Sequence, residues 1–337
     1  MMYPSTIASW ALLIWKALES YGCDPKPLFE QAGLDANRLH DPNARYPVVA
    51  LTRLWRFAGQ ASKDTAFGLT AARFWHPTTF HALGYAWMAS DSMREAFERL
   101  VRYVHLVSNA ALIRFEEREN DFCFTMGSGV SDLQPADEAI DAGMATILGM
   151  CRTSYGDHLN PLHVAMQRKA PMDRGSFARV FRAPIDYDAS ENMLCFGKNE
   201  INTPLSTANA ELAIANERVV AAYLARFDRA SLKLRVEATL LEQLSSGHAT
   251  QESIARALHL STRTLQRKLR DEGTTYKDLL DETRRQLAAD YVKQSELSVN
   301  EITFLLGFSE PANFSRAFKR WTGLTPSQFR TQADLAS

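Results

Sequence analysis

Along the first hundred residues, apolar positions recur at helical spacing. Residues 6–20 read as an amphipathic helix carrying Trp10, Trp15 and Lys16, stopped by Gly22 and Pro25. A short helix over Pro27–Gln31 closes at Gly33. Pro47 opens another, in which Val48, Leu51, Leu54, Trp55 and Ala58 keep helical spacing. Asp64–Arg73 and Thr79–Ser90 predict two more, and Ser92-Met-Arg-Glu95 has the spacing of a capping box that starts a helix to about Val107. The period then drops to two. Ala111–Arg118 and Phe122–Met126 flank Glu119-Asn-Asp121, which predicts a β-hairpin. A helix over Pro135–Tyr155, a strand over Leu162–Gln167, a helix over Ser176–Phe181 and a strand over Met193–Phe196 follow. Helices followed by ββαβαβ imply an α+β domain with a mostly antiparallel sheet. Beyond it, Asn209–Asp228 predicts a connecting helix with Leu212, Val219, Val220 and Leu224 as its apolar stripe.

From Lys233 onward the pattern is helical only. A helix over Lys233–Ser245 ends at Gly247, and a long helix over Lys277–Lys293 carries Leu280, Thr283, Arg284, Leu287, Ala288 and Tyr291 along its sides. Around the long helix lie two similar segments, about fifty residues apart, each a short helix, a tight turn and a second helix rich in basic residues. In the first, Ile254, Ala255 and Leu258 share a face and His259 and Leu260 fill the turn. Ser261 is the expected N-cap, and Leu265 and Leu269 face inward. In the second, Ile302, Leu305 and Leu306 pack and Gly307 makes the turn. Ser309 is the expected cap, Pro311 opens the helix, and Phe314 and Phe318 face inward. The outward residues suit base edges and phosphates. Arg263, Gln266 and Arg267 are expected at one major-groove segment, and Asn313, Ser315 and Arg316 at a second. Lys268, Lys319 and Arg320 are expected at phosphates or solvent. A long helix rising about 1.5 Å per residue can hold two such units roughly one DNA turn apart.

The strings Ser261-Thr-Arg-Thr-Leu-Gln-Arg267, Gly307-Phe-Ser309, Asn313-Phe-Ser-Arg-Ala-Phe-Lys-Arg-Trp-Thr-Gly323 and Thr325-Pro-Ser-Gln-Phe-Arg330 resemble the AraC/XylS transcriptional regulators over about the last hundred residues. That resemblance implies an all-α DNA-binding domain with two helix-turn-helix units joined by a long helix. The family's usual small residue at the second helix crossing is Thr303 here. The N-terminal region is similar to the subgroup with an arabinose-binding-like α+β sensor domain, as in regulators of ornithine or other amino-acid catabolism, rather than to the arabinose-type cupin barrel. The implied division is a sensing and dimerisation domain over 1–205, a linker helix over 206–232 and the DNA-binding domain over 233–332. The implied partners are promoter or operator double-stranded DNA, a small-molecule effector, a second copy of the chain and RNA polymerase. Activation is the expected sign of regulation.

Composition fits this outline. At 337 residues the chain suggests two domains, and 46% hydrophobic with 23% charged residues is ordinary for a globular protein. No apolar run of about 18 residues suggests a membrane span. The start, Met1-Met-Tyr-Pro-Ser-Thr6, lacks the features of a signal peptide, so the cytoplasm is the expected compartment. The formal charge of −1 does not itself point to DNA. From Ser231 onward there are 15 Lys and Arg against 13 Asp and Glu, a net of +2, and the remainder carries 23 against 26, a net of −3. DNA affinity must then rest on locally placed basic helices.

Chemistry is sparse. Cys195-Phe-Gly-Lys198 lacks the glycine-rich lead of a phosphate loop, and HExxH and GxGxxG are absent. Gly127-Ser-Gly129 reads as a turn, and Glu116-Glu117 as a solvated strand edge. His158 and His163 near Cys151 lack metal-ligand spacing. Cys23, Cys123, Cys151 and Cys195 are scattered, which argues against a disulfide framework and for small buried apolar groups. No catalytic residue, metal or cofactor is expected. The aromatic cluster around Phe74, with Phe80, reads as sensor core or as an effector-pocket wall, with Arg73, Trp75, His76, Tyr85 and Trp87 as the candidate contacts. Two rival readings are an enzyme fused to a DNA-binding module and an effector-independent, architectural or partner-controlled DNA-binding protein. The first would need a nucleophilic Cys beside a base.

Overall fold

The structure is a computed structural model describing residues 4–130, 133–228, 231–246, 249–293 and 297–336. Gly247, the expected stop of one helix, and Met1–Tyr3 lie outside the described residues. The chain divides into two units, Met1–Ala208 and Asn209–Ser337.

In the first unit, β1 (Ser5–Ile7) runs into α1 (Ala8–Ser20), whose Ala11, Ile14 and Leu18 are buried together. α2 (Lys26–Ala32) stops on Gly33, whose φ of 78° is left-handed. β2 (Arg45–Pro47) pairs antiparallel with β1, a contact too short to leave a periodic signal. α3 (Val48–Ser62) buries Leu51, Leu54, Trp55 and Ala58 as its spacing predicts. α4 (Phe67–Ala72) begins later than expected, because Asp64 Oδ1 accepts the Ala66 N–H at 2.8 Å and holds the chain in a turn. The helix expected over Thr79–Ser90 is split into a 3₁₀ turn, Pro77–Phe80, and α5 (Ala82–Met88). The break is at His81, with φ 53°. α5 lies so close to the preceding turn that a Cβ on Gly84 would stand 2.0 Å from the Pro77 carbonyl oxygen.

α6 (Met93–Val107) starts where the capping pattern places it, with Ser92 Oγ accepting the Glu95 N–H. Its other end is held by the buried Arg45, which donates to the Leu106 carbonyl at 2.6 Å. β3 (Ala111–Glu117) and β4 (Asp121–Ser128) form the expected hairpin. α7 (Asp137–Tyr155), β5 (His163–Ala165), α8 (Arg174–Phe181), β6 (Ile185–Asp186), β7 (Asn192–Gly197) and α9 (Lys198–Asn202) complete the unit. The sheet order is β3-β4-β7-β5-β6, antiparallel except for the β5–β6 pair. β6 and α9 were not expected. Each is a short piece shaped by its neighbours rather than by periodicity. Phe97 of α6 crosses the sheet, stacked on Phe115 at 4.6 Å and near Phe124 and Phe196 at 5.4 and 5.7 Å.

One expectation is corrected. Cys123 and Cys195, 72 residues apart, are joined in a disulfide. They face each other across the antiparallel β4–β7 pair, a proximity created by register and invisible to sequence spacing. Cys23 and Cys151 are free thiols.

The second unit is all helical: α10 (Ala210–Phe227), α11 (Leu232–Gln243), α12 (Gln251–Ala257), α13 (Thr262–Asp271), α14 (Tyr276–Lys293), α15 (Val299–Leu305), α16 (Pro311–Thr322) and α17 (Pro326–Ala336). It has two cores. Leu232, Val236 and Leu240 of α11 pack with Ile254, Ala255, Leu265, Leu269 and Leu279. Leu241 and Leu244 pack instead with Leu287, Ala288, Tyr291, Val292, Ile302, Leu306, Phe314 and Phe318. α10, the expected connecting helix, gives Ile214 and Ala221 to this second core. Its stripe is rotated from the expected one, since Leu212 and Val219 are exposed while Ala213, Ile214, Val220, Ala221 and Leu224 are buried.

α4 and α7 touch through Gly68, where a Cβ would stand 2.2 Å from the Glu138 carbonyl oxygen and 2.8 Å from Asp141 Cβ. Gly68→Ala is therefore expected to destabilise the first unit by about 1–3 kcal/mol, read as a lower denaturation midpoint. An unchanged midpoint would contradict that packing. Thiol titration of the unfolded, unreduced chain should count the two free cysteines alone, and a count of four would remove the disulfide.

Candidate nucleic-acid interface and ligand cavity

The two helix-turn-helix segments are built by the same local chemistry. α12 opens with a reciprocal capping pair, Thr250 with Ser253, and α15 with Ser298 and Glu301. Both turns then use one left-handed residue, His259 at φ 56° and Gly307 at φ 63°. The next amide returns to the helix, from Leu260 to the Ala255 carbonyl at 2.8 Å and from Phe308 to the Thr303 carbonyl at 2.9 Å. Thr303 occupies the place of Ala255. It is wholly buried, and its hydroxyl donates back to the Val299 carbonyl at 2.7 Å, so the crossing holds no unpaired hydroxyl.

The second helices start differently. Ser261 caps α13 as expected, its Oγ accepting the Thr264 N–H at 3.1 Å. Ser309 does not cap α16. The N-cap is Glu310, without a side-chain cap bond, and Pro311 follows it. The second turn is thus one residue longer, since the cap lies two places after His259 but three after Gly307. Counted from the caps, Leu265 and Leu269 match Phe314 and Phe318, and Arg267 matches Arg316. Gln266 matches Ser315, and Arg263 matches Ala312, which sequence reasoning passed over. Asn313 stands at the Thr264 position.

Arg263, Gln266, Arg267 and Lys268 are all exposed on α13, as are Arg316, Lys319 and Arg320 on α16, while Asn313 and Ser315 are partly covered. Arg316 donates to Asn313 Oδ1 at 2.6 Å, which holds the guanidinium along the helix. Arg320 donates to both carboxylate oxygens of Asp281 on α14, at 2.9 and 3.2 Å. α14 also grips the second turn. Arg284 Nε and Nη2 donate to the Leu306 and Gly307 carbonyls at 2.8 and 2.6 Å, and the guanidinium lies 4.2 Å from the Phe308 ring centre. Arg330 closes the far end, donating from Nε to the Val292 carbonyl at 2.8 Å. At the other end of the unit, Glu272 accepts the Leu232 and Lys233 amides at 2.7 and 2.9 Å, a carboxylate on the N-terminus of α11.

The first unit contains an apolar cavity of about 160 Å³. Its walls come from α1 (Trp10), α3 (Leu51, Trp55), α6 (Leu100, Val104), β3 (Ile113), β4 (Phe124, Met126) and α7 (Ile140, Ile147). None of the five expected effector residues lines it. Arg73, His76 and Tyr85 are exposed, and Trp75 lies against Gly149. Trp87 is wholly buried, edge-on to Phe97 at 5.0 Å. Of the aromatic cluster, only Phe80 reaches the wall. Beside the cavity is a polar chamber of about 520 Å³, which includes Asp137, Asp141, Gln167, Arg168 and Asn192. Burial pushes the Asp141 carboxyl up from the usual carboxylate range, and Arg168, hydrogen-bonded to its Oδ2, opposes that rise. His163 pairs with Asp186 at 2.8 Å rather than with Cys151, which is wholly buried.

The family model for the arabinose-binding domain of AraC transcription regulators matches residues 22–205, and a helix-turn-helix domain model matches residues 254–332. The chain belongs to the AraC family of transcription regulators. An ornithine utilization regulator of Pseudomonas aeruginosa is 27% identical to this AraC-family chain over 333 residues, covering 96% of the chain and 95% of that protein. The regulator VqsM of the same organism is 30% identical over 163 residues, 47% of the chain and 49% of VqsM. Among solved structures, the regulator CdpR from P. aeruginosa shares the fold, with a TM-score of 0.50 at 18% identity over 95% of this chain and 98% of that one. The AraC-family chain is a helix-turn-helix transcription regulator and not an enzyme. Among the described residues, no helix is long and apolar enough to cross a membrane.

The capping difference gives a paired test. Ser261→Ala should lower stability by about 1 kcal/mol, whereas Ser309→Ala should change it little. Equal losses in chemical denaturation would contradict the placement of the α16 cap at Glu310.

Proposed function

We propose that this regulator reads two successive major-groove segments of promoter DNA with α13 and α16, under the control of a small molecule bound in the Met1–Ala208 unit. The observation that carries the reading is the pair of exposed arginines, Arg267 and Arg316. They occupy the same position after their helix caps, on two helices fixed to one long helix. Arg263, Gln266 and Arg267 read bases in one segment. Ser315 and Arg316 read the other, with Asn313 orienting Arg316. Lys268 and Lys319 meet phosphates. Arg320, held by Asp281, braces α16 at the edge of the contact.

The enclosed apolar cavity with a polar chamber beside it has the usual make-up of a small-molecule site, and it favours effector control over an effector-independent, architectural role. The relative named for ornithine utilization supports a metabolite as the signal. Activation, pairing of two copies, contact with RNA polymerase and a cytoplasmic location complete the reading, on the strength of family membership.

Binding to promoter DNA at fixed salt, followed by fluorescence anisotropy, tests the reading. Arg267→Ala and Arg316→Ala should each lose about 1–3 kcal/mol of specific affinity and relax base preference in one segment only. Lys268→Ala should weaken all sequences alike and reduce the salt slope by about one. Parent-like binding by both arginine variants would overturn the assignment.

A further inference from the structure

The inference concerns which class of molecule the first unit accepts, and it rests on the reading of that unit as a small-molecule sensor. The apolar cavity and the polar chamber adjoin. Gly127, Ser128, Leu133, Pro135 and Ile140 line both. The inner space, about 160 Å³, has walls of Leu, Ile, Val, Phe, Trp and Met with only a few hydroxyls. A dry cavity of about 150 Å³ takes a guest the size of one benzene ring. The inner space therefore suits one aromatic ring or a short alkyl chain, and it offers nothing to balance a charge.

The outer chamber has the opposite character. Asp137 and Asp141 lie one turn apart on the same face of α7, with Arg168 as the cation among the described lining residues. Arg168 is already engaged, donating to Asp141 Oδ2 and to the Lys169 and Thr65 carbonyls. Asn192 is engaged as well, donating to the Met126 carbonyl and to Gln167 Oε1 at 3.2 and 2.8 Å. Asp141 is wholly buried, and its Oδ1 has no hydrogen-bond partner among the described residues. A buried carboxylate oxygen in this state is an acceptor suited to a charged donor. Two carboxylates against one guanidinium leave the chamber with a formal charge of −1, which a single cation balances.

We propose that the first unit binds a small ammonium compound with an apolar body, of the arylalkylamine or short alkylamine class. The apolar body fills the inner cavity past Ile140. The ammonium lies in the outer chamber, donating to Asp141 Oδ1 and facing Asp137.

The full-length protein is tested with three probes of one shape: 2-phenylethylammonium, the neutral 2-phenylethanol and the anionic 3-phenylpropionate. Calorimetry and thermal unfolding should show the ammonium binding at least roughly tenfold more tightly than the alcohol and raising Tm by several degrees, with no response to the carboxylate. Asp141→Asn removes the acceptor but also disturbs the Arg168 pair, so two further variants are measured. Ile140→Trp, which blocks the inner space, and the exposed Asp137→Asn should each fold with a Tm near the parent's and weaken the ammonium at least roughly tenfold. Equal responses to the three probes, a full response in Ile140→Trp, or no response to the ammonium would each overturn the proposal. Parent samples are also measured on promoter DNA. DNA binding that persists and answers to some other small molecule, beside a flat ammonium response, removes this ligand class and leaves the regulator reading standing. Loss of DNA binding by the parent removes the regulator reading itself.

Discussion

The DNA-facing unit depends on one constraint: both helix-turn-helix cores are built on the same helix. α14 gives Leu279 to the first core and Leu287, Ala288, Tyr291 and Val292 to the second, so neither core can form without fixing α14 in register. Eighteen residues at about 1.5 Å each make a rod of roughly 27 Å. α11 repeats the arrangement from the other side, with Val236 and Leu240 turned to one core and Leu241 and Leu244 to the other. Polar contacts then remove the remaining freedom. Arg284 binds the carbonyls that end α15, Arg320 binds Asp281, and Arg330 binds the end of α14. The basic helices α13 and α16 are therefore positioned by packing and need not be ordered by the ligand, which lowers the entropy cost of binding.

The first unit solves a different problem. Its sheet has a middle strand, β4, whose Phe122, Cys123, Phe124 and Thr125 are all buried, so both faces are covered. The ring of Phe97 covers one face through Phe115, Phe124 and Phe196. Arg45 ties the end of α6 to β1. This framework leaves an unfilled apolar space between helices and hairpin, and it places the acidic face of α7 beside that space. Close packing ordinarily fills such space, so a cavity of ring size next to a buried carboxylate is more readily explained by a ligand than by loose packing.

The parts that were legible in the sequence are those specified locally. The tandem hairpins show in caps, left-handed turn residues and inward pairs four apart, all within about twenty residues. The same local logic failed at Ser309. Serine is a better cap than glutamate, yet the longer turn puts Glu310 at the helix start. On α10, either of two adjacent stripes satisfies helical periodicity, and only the packing against the second core selects Ile214 and Ala221 over Leu212 and Val219. The ligand cavity was not legible because its walls come from six elements spread between Trp10 and Ile147, while the aromatic-rich stretch that drew attention went partly to the core and partly to the surface. The Cys123–Cys195 pair was hidden for a similar reason, because strand register, not spacing, brings the two together.

Hydroxyl-radical footprinting of the full-length protein on its promoter tests the central claim, that α14 holds two reading helices in fixed register. The account predicts two protected segments per bound chain, on one face of the duplex and roughly one helical turn apart. A single protected segment, or two segments on opposite faces, would contradict it.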